Sequence, residues 1–258
     1  MAHQDNPSFS CADCTSGRGL DFRFTMAFQP IVNTTSWKIF AYEALVRGIN
    51  NESAQQILSR ISPANRYRFD QACRIRAVQL AARFGIQSSI SINFMPNAVY
   101  RPENCIQTTL AAAKSYNFPV DRIIFEITEN ERVVDPAHLK EIIREYKRRG
   151  FRTAIDDFGA GYSGLNLLAD IQTDLIKLDM ALVRGIDQDR TRQTIVKAIL
   201  RVCQELEIEP IAEGIETYEE FRFLQDLGVE LFQGFYFARP AFESFAAMPP
   251  PLKCPVFV

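Results

Sequence analysis

From Ser89 to Phe235, short strand-like apolar runs alternate with amphipathic helical stretches. Nearly every run carries one charged or amide side chain in its interior. The runs are SISINF (89–94), RIIFEIT (122–128), FRTAIDD (151–157), DLIKLDM (174–180), EPIAEGI (209–215) and VELFQGF (229–235). Between them, helical periodicity covers about 103–116, 136–149, a short stretch near 163–169, and 188–206. A last helix is opened by the capping box Thr217–Glu220 and closed by Gly228. The helix at 136–149 has Asp135 as N-cap, Pro136 at its first position and Gly150 just past its end. Upstream, FTMAFQPIVN (24–33) and WKIFAYEALVRG (37–48) flank the polar turn Thr34–Ser36 and read as an antiparallel hairpin. Helical patterns follow near 53–60 and at 64–84, ending at Gly85.

Repeated strand–helix units require a mostly parallel sheet. Eight strand candidates within 258 residues predict an α/β fold, a (β/α)8 barrel of TIM type. The opening hairpin makes one of its first two strands antiparallel. With 47% apolar and 23% charged residues, the composition is that of a globular protein. A net charge of −2 leaves no basic excess for a nucleic-acid polymer. No apolar run reaches the roughly 18–20 residues of a membrane helix, and no apolar leader opens the sequence. A cytoplasmic location and no membrane partner are therefore expected. Residues 1–20 are rich in Ser, Gly and Asp and read as an arm ahead of a domain at 21–258. Cys11 and Cys14 form a CxxC with His3 nearby, but no second pair completes a four-ligand zinc site. Cys73 and Cys203 lie in apolar helical patterns and read as core.

The strand charges narrow the function. Parallel strands are buried on both faces, so a charge within one needs a partner. Glu43, Asn93, Glu126, Asp156 with Asp157, Lys177, Glu213 and Gln233 each fall in a different run, and Glu216 follows three residues after Glu213. A barrel collects the C-terminal ends of its strands at one mouth, where active sites lie. Several carboxylates there repel one another unless cations intervene. With two histidines in the chain, carboxylates and an amide oxygen suit hard cations, Mg2+ or Mn2+. Adjacent Asp156 and Asp157, diverging from a strand end, can serve two metals, the clamp used for in-line phosphodiester cleavage. Arg47, four residues after Glu43, reads either as a phosphate ligand or as an exposed arginine. The glycines at 159, 161 and 164 resemble a glycine-rich phosphate loop without the Walker spacing or its basic residue, or read simply as a flexible turn, and the charges from Lys140 to Arg149 read as a solvated helix face. Phe235 and Tyr236 read equally as base-stacking or core residues.

The segments YEALVRG (42–48), INF (92–94), FEITEN (125–130), DDFGAGYSGL (156–165), IKLD (176–179), AEGIET (212–217) and QGFYFARP (233–240) together resemble the EAL-domain family of bacterial cyclic di-GMP phosphodiesterases. The resemblance runs in order from about Phe28 to Pro240. It implies a barrel with one antiparallel strand and metal-dependent hydrolysis of cyclic di-GMP to linear pGpG. By motif, Glu43, Asn93, Glu126 and Asp156 resemble the ligands of one metal, and Asp156 and Asp157, with Glu213, those of a second. Lys177 resembles the residue that holds and activates the attacking water. Glu216 and Gln233 resemble supporting metal-site residues, and Glu129 the glutamate that braces the loop after Asp157. Gln29, Leu45, Arg47, Asp157 and Pro240 fall at substrate-contacting positions. Gly48, Ala160, Gly164 and the QGFYF motif depart from the commoner family pattern, and none of them removes a ligand. The resemblance also implies a homodimer. Lys177 can act as a base only if its pKa is depressed; charged, it would orient water or stabilise phosphate. The competing reading is a barrel that binds cyclic di-GMP or a protein partner without cleavage.

Overall fold

A computed structural model describes residues 20–99, 101–128, 135–161 and 164–246. The expectations for His3, Cys11, Cys14 and Glu129 fall outside these residues. The strands are β1 (Phe24–Asn33), β2 (Lys38–Gly48), β3 (Ser89–Asn93), β4 (Ile123–Thr128), β5 (Arg152–Phe158), β6 (Leu175–Leu178), β7 (Glu209–Ala212), β8 (Leu231–Phe232) and β9 (Ala241–Phe242). The helices are α1 (Ala54–Leu58), α2 (Arg66–Arg83), α3 (Pro102–Ser115), α4 (Pro136–Arg148), α5 (Gly164–Asp170), α6 (Met180–Val183), α7 (Arg190–Glu205) and α8 (Tyr218–Asp226).

Strands β2 to β8 pair in parallel in chain order, and β1 closes the ring by pairing antiparallel with both β2 and β8. The barrel is therefore an eight-stranded α/β closure with β1 as the reversed strand. Strand β9 bonds to β1 at Ala27 and Phe28, outside the ring. The Pro-rich sequence after Phe235 carries no strand pattern there. Two residues of strand are too short to show a period, so pairing with β1 alone defines them.

Strand ends differ from the pattern at three places. The run 174–180 ends as strand at Leu178, because Asp179 turns away and caps α6, its side chain accepting from Ala181 N at 2.8 Å. The run 209–215 ends at Ala212, and 229–235 pairs only at Leu231–Phe232. In each case polar residues leave the ladder to form the barrel mouth. The helix ends follow local chemistry. Asp135 caps α4, Thr217 and Glu220 form the capping box of α8, and Gly85, Gly150 and Gly228 take positive φ just past helices.

Inside the barrel, seven strands contribute one residue each to an apolar layer: Ile31, Ala41, Ile124, Ala154, Leu175, Ile211 and Leu231. All are essentially inaccessible to water. Two larger clusters pack the helices against the outside of the sheet, with Cys73 and Cys105 in one and Cys203 in the other. The charged residues of α4 do form a solvated face, with Lys140 and Arg144 exposed.

Candidate active site

The side-chain period of a strand is two, so the residue two places on from an interior position faces the interior again. Two residues beyond the apolar layer, toward the C-terminal ends of the parallel strands, stand Glu43, Glu126, Asp156, Lys177, Glu213 and Gln233. On β1, which runs the other way, the corresponding residue comes two places earlier, at Gln29. One polar ring thus caps one apolar ring.

Lys177 is at its centre. Its Nζ lies 2.7 Å from Glu213 Oε1, 2.9 Å from Asp156 Oδ1, 3.1 Å from Glu126 Oε2 and 3.3 Å from Glu43 Oε2. The side chain is 1% exposed. Asn93 donates from Nδ2 to Glu43 Oε1 at 2.9 Å, and Gln233 donates from Nε2 to Glu43 Oε2 at 2.7 Å and to Gln29 Oε1 at 3.2 Å. Gln29 in turn donates to the Ala238 carbonyl. Ser91, one interior position before Asn93, donates its hydroxyl to Glu126 at 2.5 Å.

The electrostatics follow from this crowding. Burial alone would discharge Lys177, but the carboxylates of Asp156, Glu126, Glu213 and Glu43 outweigh it and hold the ammonium well above its ordinary range. Burial pushes Glu126 and Glu213 well above the usual carboxylate range, and neighbouring carboxylates add to the effect against the pull of Lys177. Burial also acts on Glu43, yet Lys177 and the amides of Gln233 and Asn93 together bring it below its ordinary value. One ammonium cannot neutralise this many carboxylates in a medium that excludes water.

Two local devices shape the rim. Asp157 adopts φ +56° and the β5–β6 register breaks between Ile155 and Phe158. Adjacent residues of a regular strand point to opposite faces, and the two aspartates were expected to diverge. The left-handed residue instead brings an oxygen of Asp157 into one group with oxygens of Asp156 and Glu213, all within 4.8 Å. The second device is Gly234. A Cβ there would lie 2.1 Å from the Ile215 carbonyl oxygen. Its absence lets the segment bearing Glu213 lie against the one bearing Gln233, joined by Ile215 N to Gln233 O and Tyr236 N to Ile215 O. These groups open into a cavity of about 260 Å³ that Met180, Arg184 and Phe235 also line.

Oxygens of Glu43, Glu126 and Asp156 form a second group within 4.8 Å. The donor set is all oxygen, which suits a hard divalent cation. Two acceptors are left over among the described residues: the buried Gln233 Oε1 has no hydrogen-bond partner there, and Asp156 Oδ1 has an ion pair but no directed hydrogen bond. Excess buried negative charge and orphaned oxygens both fit such a cation.

The remaining expected positions are more dispersed. Glu216 stands at the cavity rim, ion-paired with Arg184 rather than joined to the carboxylate groups. Arg47 is half-buried rather than exposed and donates to its neighbour's carbonyl, Val46 O, at 2.7 Å. Leu45 and Pro240 are partly buried. Phe235 is 47% exposed, with the Arg239 guanidinium 4.1 Å above its ring, whereas Tyr236 stacks on Phe221. Ser91 and Arg184 went unnoticed in the sequence. Ser91 was legible in the alternation Ser89–Ser91–Asn93, but Arg184 carried no signal, since it reaches the rim only through the turn after α6.

A profile of the EAL domain matches residues 20–240. The chain is 33% identical over 214 residues to the blue light- and temperature-regulated antirepressor BluF of Escherichia coli, a match covering 83% of this chain and 53% of BluF. It is 30% identical over 233 residues to the probable cyclic di-GMP phosphodiesterase PdeD of E. coli, over 84% of this chain and 41% of PdeD. The chain thus spans about half or less of these curated relatives. Among solved structures, a standalone versatile EAL protein from Vibrio cholerae, bound to cyclic di-GMP, is 58% identical with a TM-score of 0.88, covering 90% of this chain and 98% of that one. BlrP1 of Klebsiella pneumoniae, with manganese and cyclic di-GMP, is 34% identical with a TM-score of 0.81, covering 86% and 57%. The chain belongs to the EAL domain family.

Proposed function

From that membership, we propose that the chain is a divalent-cation-dependent phosphodiesterase that hydrolyses cyclic di-GMP to linear pGpG. The observation that carries this reading is the buried cluster of four carboxylates around Lys177, set in a polar ring to which every barrel strand contributes one residue, with Glu43, Asp156 and Glu213 lining one cavity. In this reading Glu43, Asn93, Glu126 and Asp156 hold one Mg2+ or Mn2+, and Asp156, Asp157 and Glu213 a second, with Gln233 and Glu216 in support. Bound there, the cations supply neutralisation of phosphate charge and acidification of the attacking water. Gln29, Leu45, Arg47, Asp157 and Pro240 are assigned to the substrate. Lys177, whose Nζ lies within 3.3 Å of all four carboxylates, is assigned to the attacking water and is a donor as long as it stays charged. It orients a water through Nζ and stabilises the developing phosphate charge. Glu213, whose Oε1 lies 2.7 Å from Nζ, is assigned together with Lys177 to taking up the water's proton. Glu129 is assigned to bracing the loop after Asp157. The same reading takes in a homodimer working in the cytoplasm, which light scattering and fractionation test.

The kinship with an antirepressor favours a second reading, a barrel that binds cyclic di-GMP or a protein without cleaving it. The deciding experiment incubates purified chain and cyclic di-GMP with Mg2+, Mn2+, Ca2+ or EDTA and separates nucleotides by chromatography. Cation-dependent pGpG supports the enzyme. Saturable binding without product supports the receptor.

A further inference from the structure

The chain leaves β3 under unusual restraint. Asn93, Phe94 and Met95 are each held by a different element. The Asn93 side chain bonds Glu43 on β2, the Phe94 amide donates to the Glu126 carbonyl on β4 at 3.1 Å, and the Met95 amide donates to Asp70 Oδ1 on α2 at 2.9 Å. Asp70 is 3% exposed. Burial therefore opposes its charge, and Arg74, one turn on and fully buried, pairs with it at 2.7 Å. Gln71 donates to the same carboxylate at 3.1 Å. Arg74 donates to the buried Tyr146 hydroxyl on α4 at 2.7 Å and packs against the rings of Phe94, Phe125 and Tyr146. Phe94 and Phe125 are the chain neighbours of Asn93 and Glu126. The proposed reaction uses none of Asp70, Arg74 or Tyr146, and a buried ion pair is a poor source of stability when an apolar pair could replace it. What this one uniquely provides is a fixed acceptor for Met95.

We infer that Asp70 is a positioning residue for the carboxylate ring. Backed by Arg74 and Tyr146, its carboxylate anchors the Met95 amide at the exit of β3 and so holds Asn93 against Glu43. The inference rests on the reading that Glu43 and Asn93 serve a divalent cation. Groups that orient metal ligands from behind change metal affinity when lost, typically by about 10- to 100-fold.

Two double variants separate positioning from stability. In both, Arg74→Met fills the aromatic cage without leaving a buried charge. Asp70→Asn beside it keeps an oxygen acceptor for Met95, and Asp70→Ala removes it. The Asp70→Ala variant, which orphans the Met95 amide, is expected to unfold at a lower temperature than the Asp70→Asn one, so both are titrated well below their transitions. Calorimetric titration with Mn2+ alone is expected to show affinity near that of the unaltered chain for Asp70→Asn with Arg74→Met. For Asp70→Ala with Arg74→Met it is expected to weaken about tenfold or more. Equal Mn2+ affinity in both variants overturns the assignment. An unaltered chain that binds no Mn2+ overturns the cation reading and this inference with it. The expected split in a chain that does not cleave cyclic di-GMP upholds the inference and overturns only the hydrolytic reading.

Discussion

Two layers of the barrel interior lie two residues apart on the same strands and differ in almost everything else. The lower layer is Ile31, Ala41, Ile124, Ala154, Leu175, Ile211 and Leu231. The upper is Gln29, Glu43, Glu126, Asp156, Lys177, Glu213 and Gln233. Both are almost excluded from water in the isolated chain, apart from the cavity side of Asp156 and Glu213, which are 11% and 15% exposed. The lower layer needs nothing further: apolar burial is non-directional and its members satisfy one another by contact. The upper layer is incomplete, with excess negative charge around one ammonium and a buried amide oxygen without a partner. Burial with satisfied chemistry makes a core, and burial with unsatisfied chemistry marks a site.

The contrast is broken most severely by Glu43→Ala. It removes a carboxylate whose Oε1 accepts from Asn93 and whose Oε2 accepts from Gln233 and Lys177, and hydrolysis of cyclic di-GMP should fall at least about a thousandfold, near 4 kcal/mol of transition-state stabilisation. Retained turnover by chromatographic assay would sink the assignment. Moving charge down one layer, with Ile211→Glu, should cost about 4 kcal/mol or more, since no partner waits there. Urea unfolding measures it, and a loss under 1 kcal/mol would mean that the lower layer is not sealed.

Supplying what the upper layer lacks should stabilise it. Mn2+ at about a hundred times its Kd is expected to add about 2.7 kcal/mol per site, visible as a raised Tm that EDTA reverses. Without metal, pH does the reverse. Glu126 and Glu213 have folded pKa values raised above about 4.5, so the folded state holds protons that the unfolded chain has released. Stability should therefore fall as pH rises from about 4.5 through the raised values, by roughly 1.4 kcal/mol per unit for each titrating carboxylate. A flat metal-free profile over pH 4.5–7 would contradict the crowding. The smallest effect belongs to Ile211→Val, which should cost about 1 kcal/mol and leave turnover unchanged.

Much of this contrast is legible in the amino-acid sequence. IIFEIT and LIKLDM announce both layers at once, because a period of two puts Ile124 and Glu126, or Leu175 and Lys177, on one face. Local signals also fixed helix ends at Asp135, Thr217 and Gly150. The rim was illegible for a physical reason. Glu216 pairs with Arg184 across two loops, and Asp157 joins Asp156 only because its φ is positive, and neither fact has a sequence period. The two-residue β9 was lost for the same reason.

The sequence by itself determined that this chain is a barrel with one polar residue per strand, because alternation and capping are local and each strand declares its own inward face. Tertiary structure alone decided that Lys177 is surrounded by four carboxylates, and that Asp70 reaches the end of β3. Those contacts join residues from 21 to 134 positions apart. They exist only once closure of the ring and its staggered register bring the strand ends together, and no single segment encodes that register.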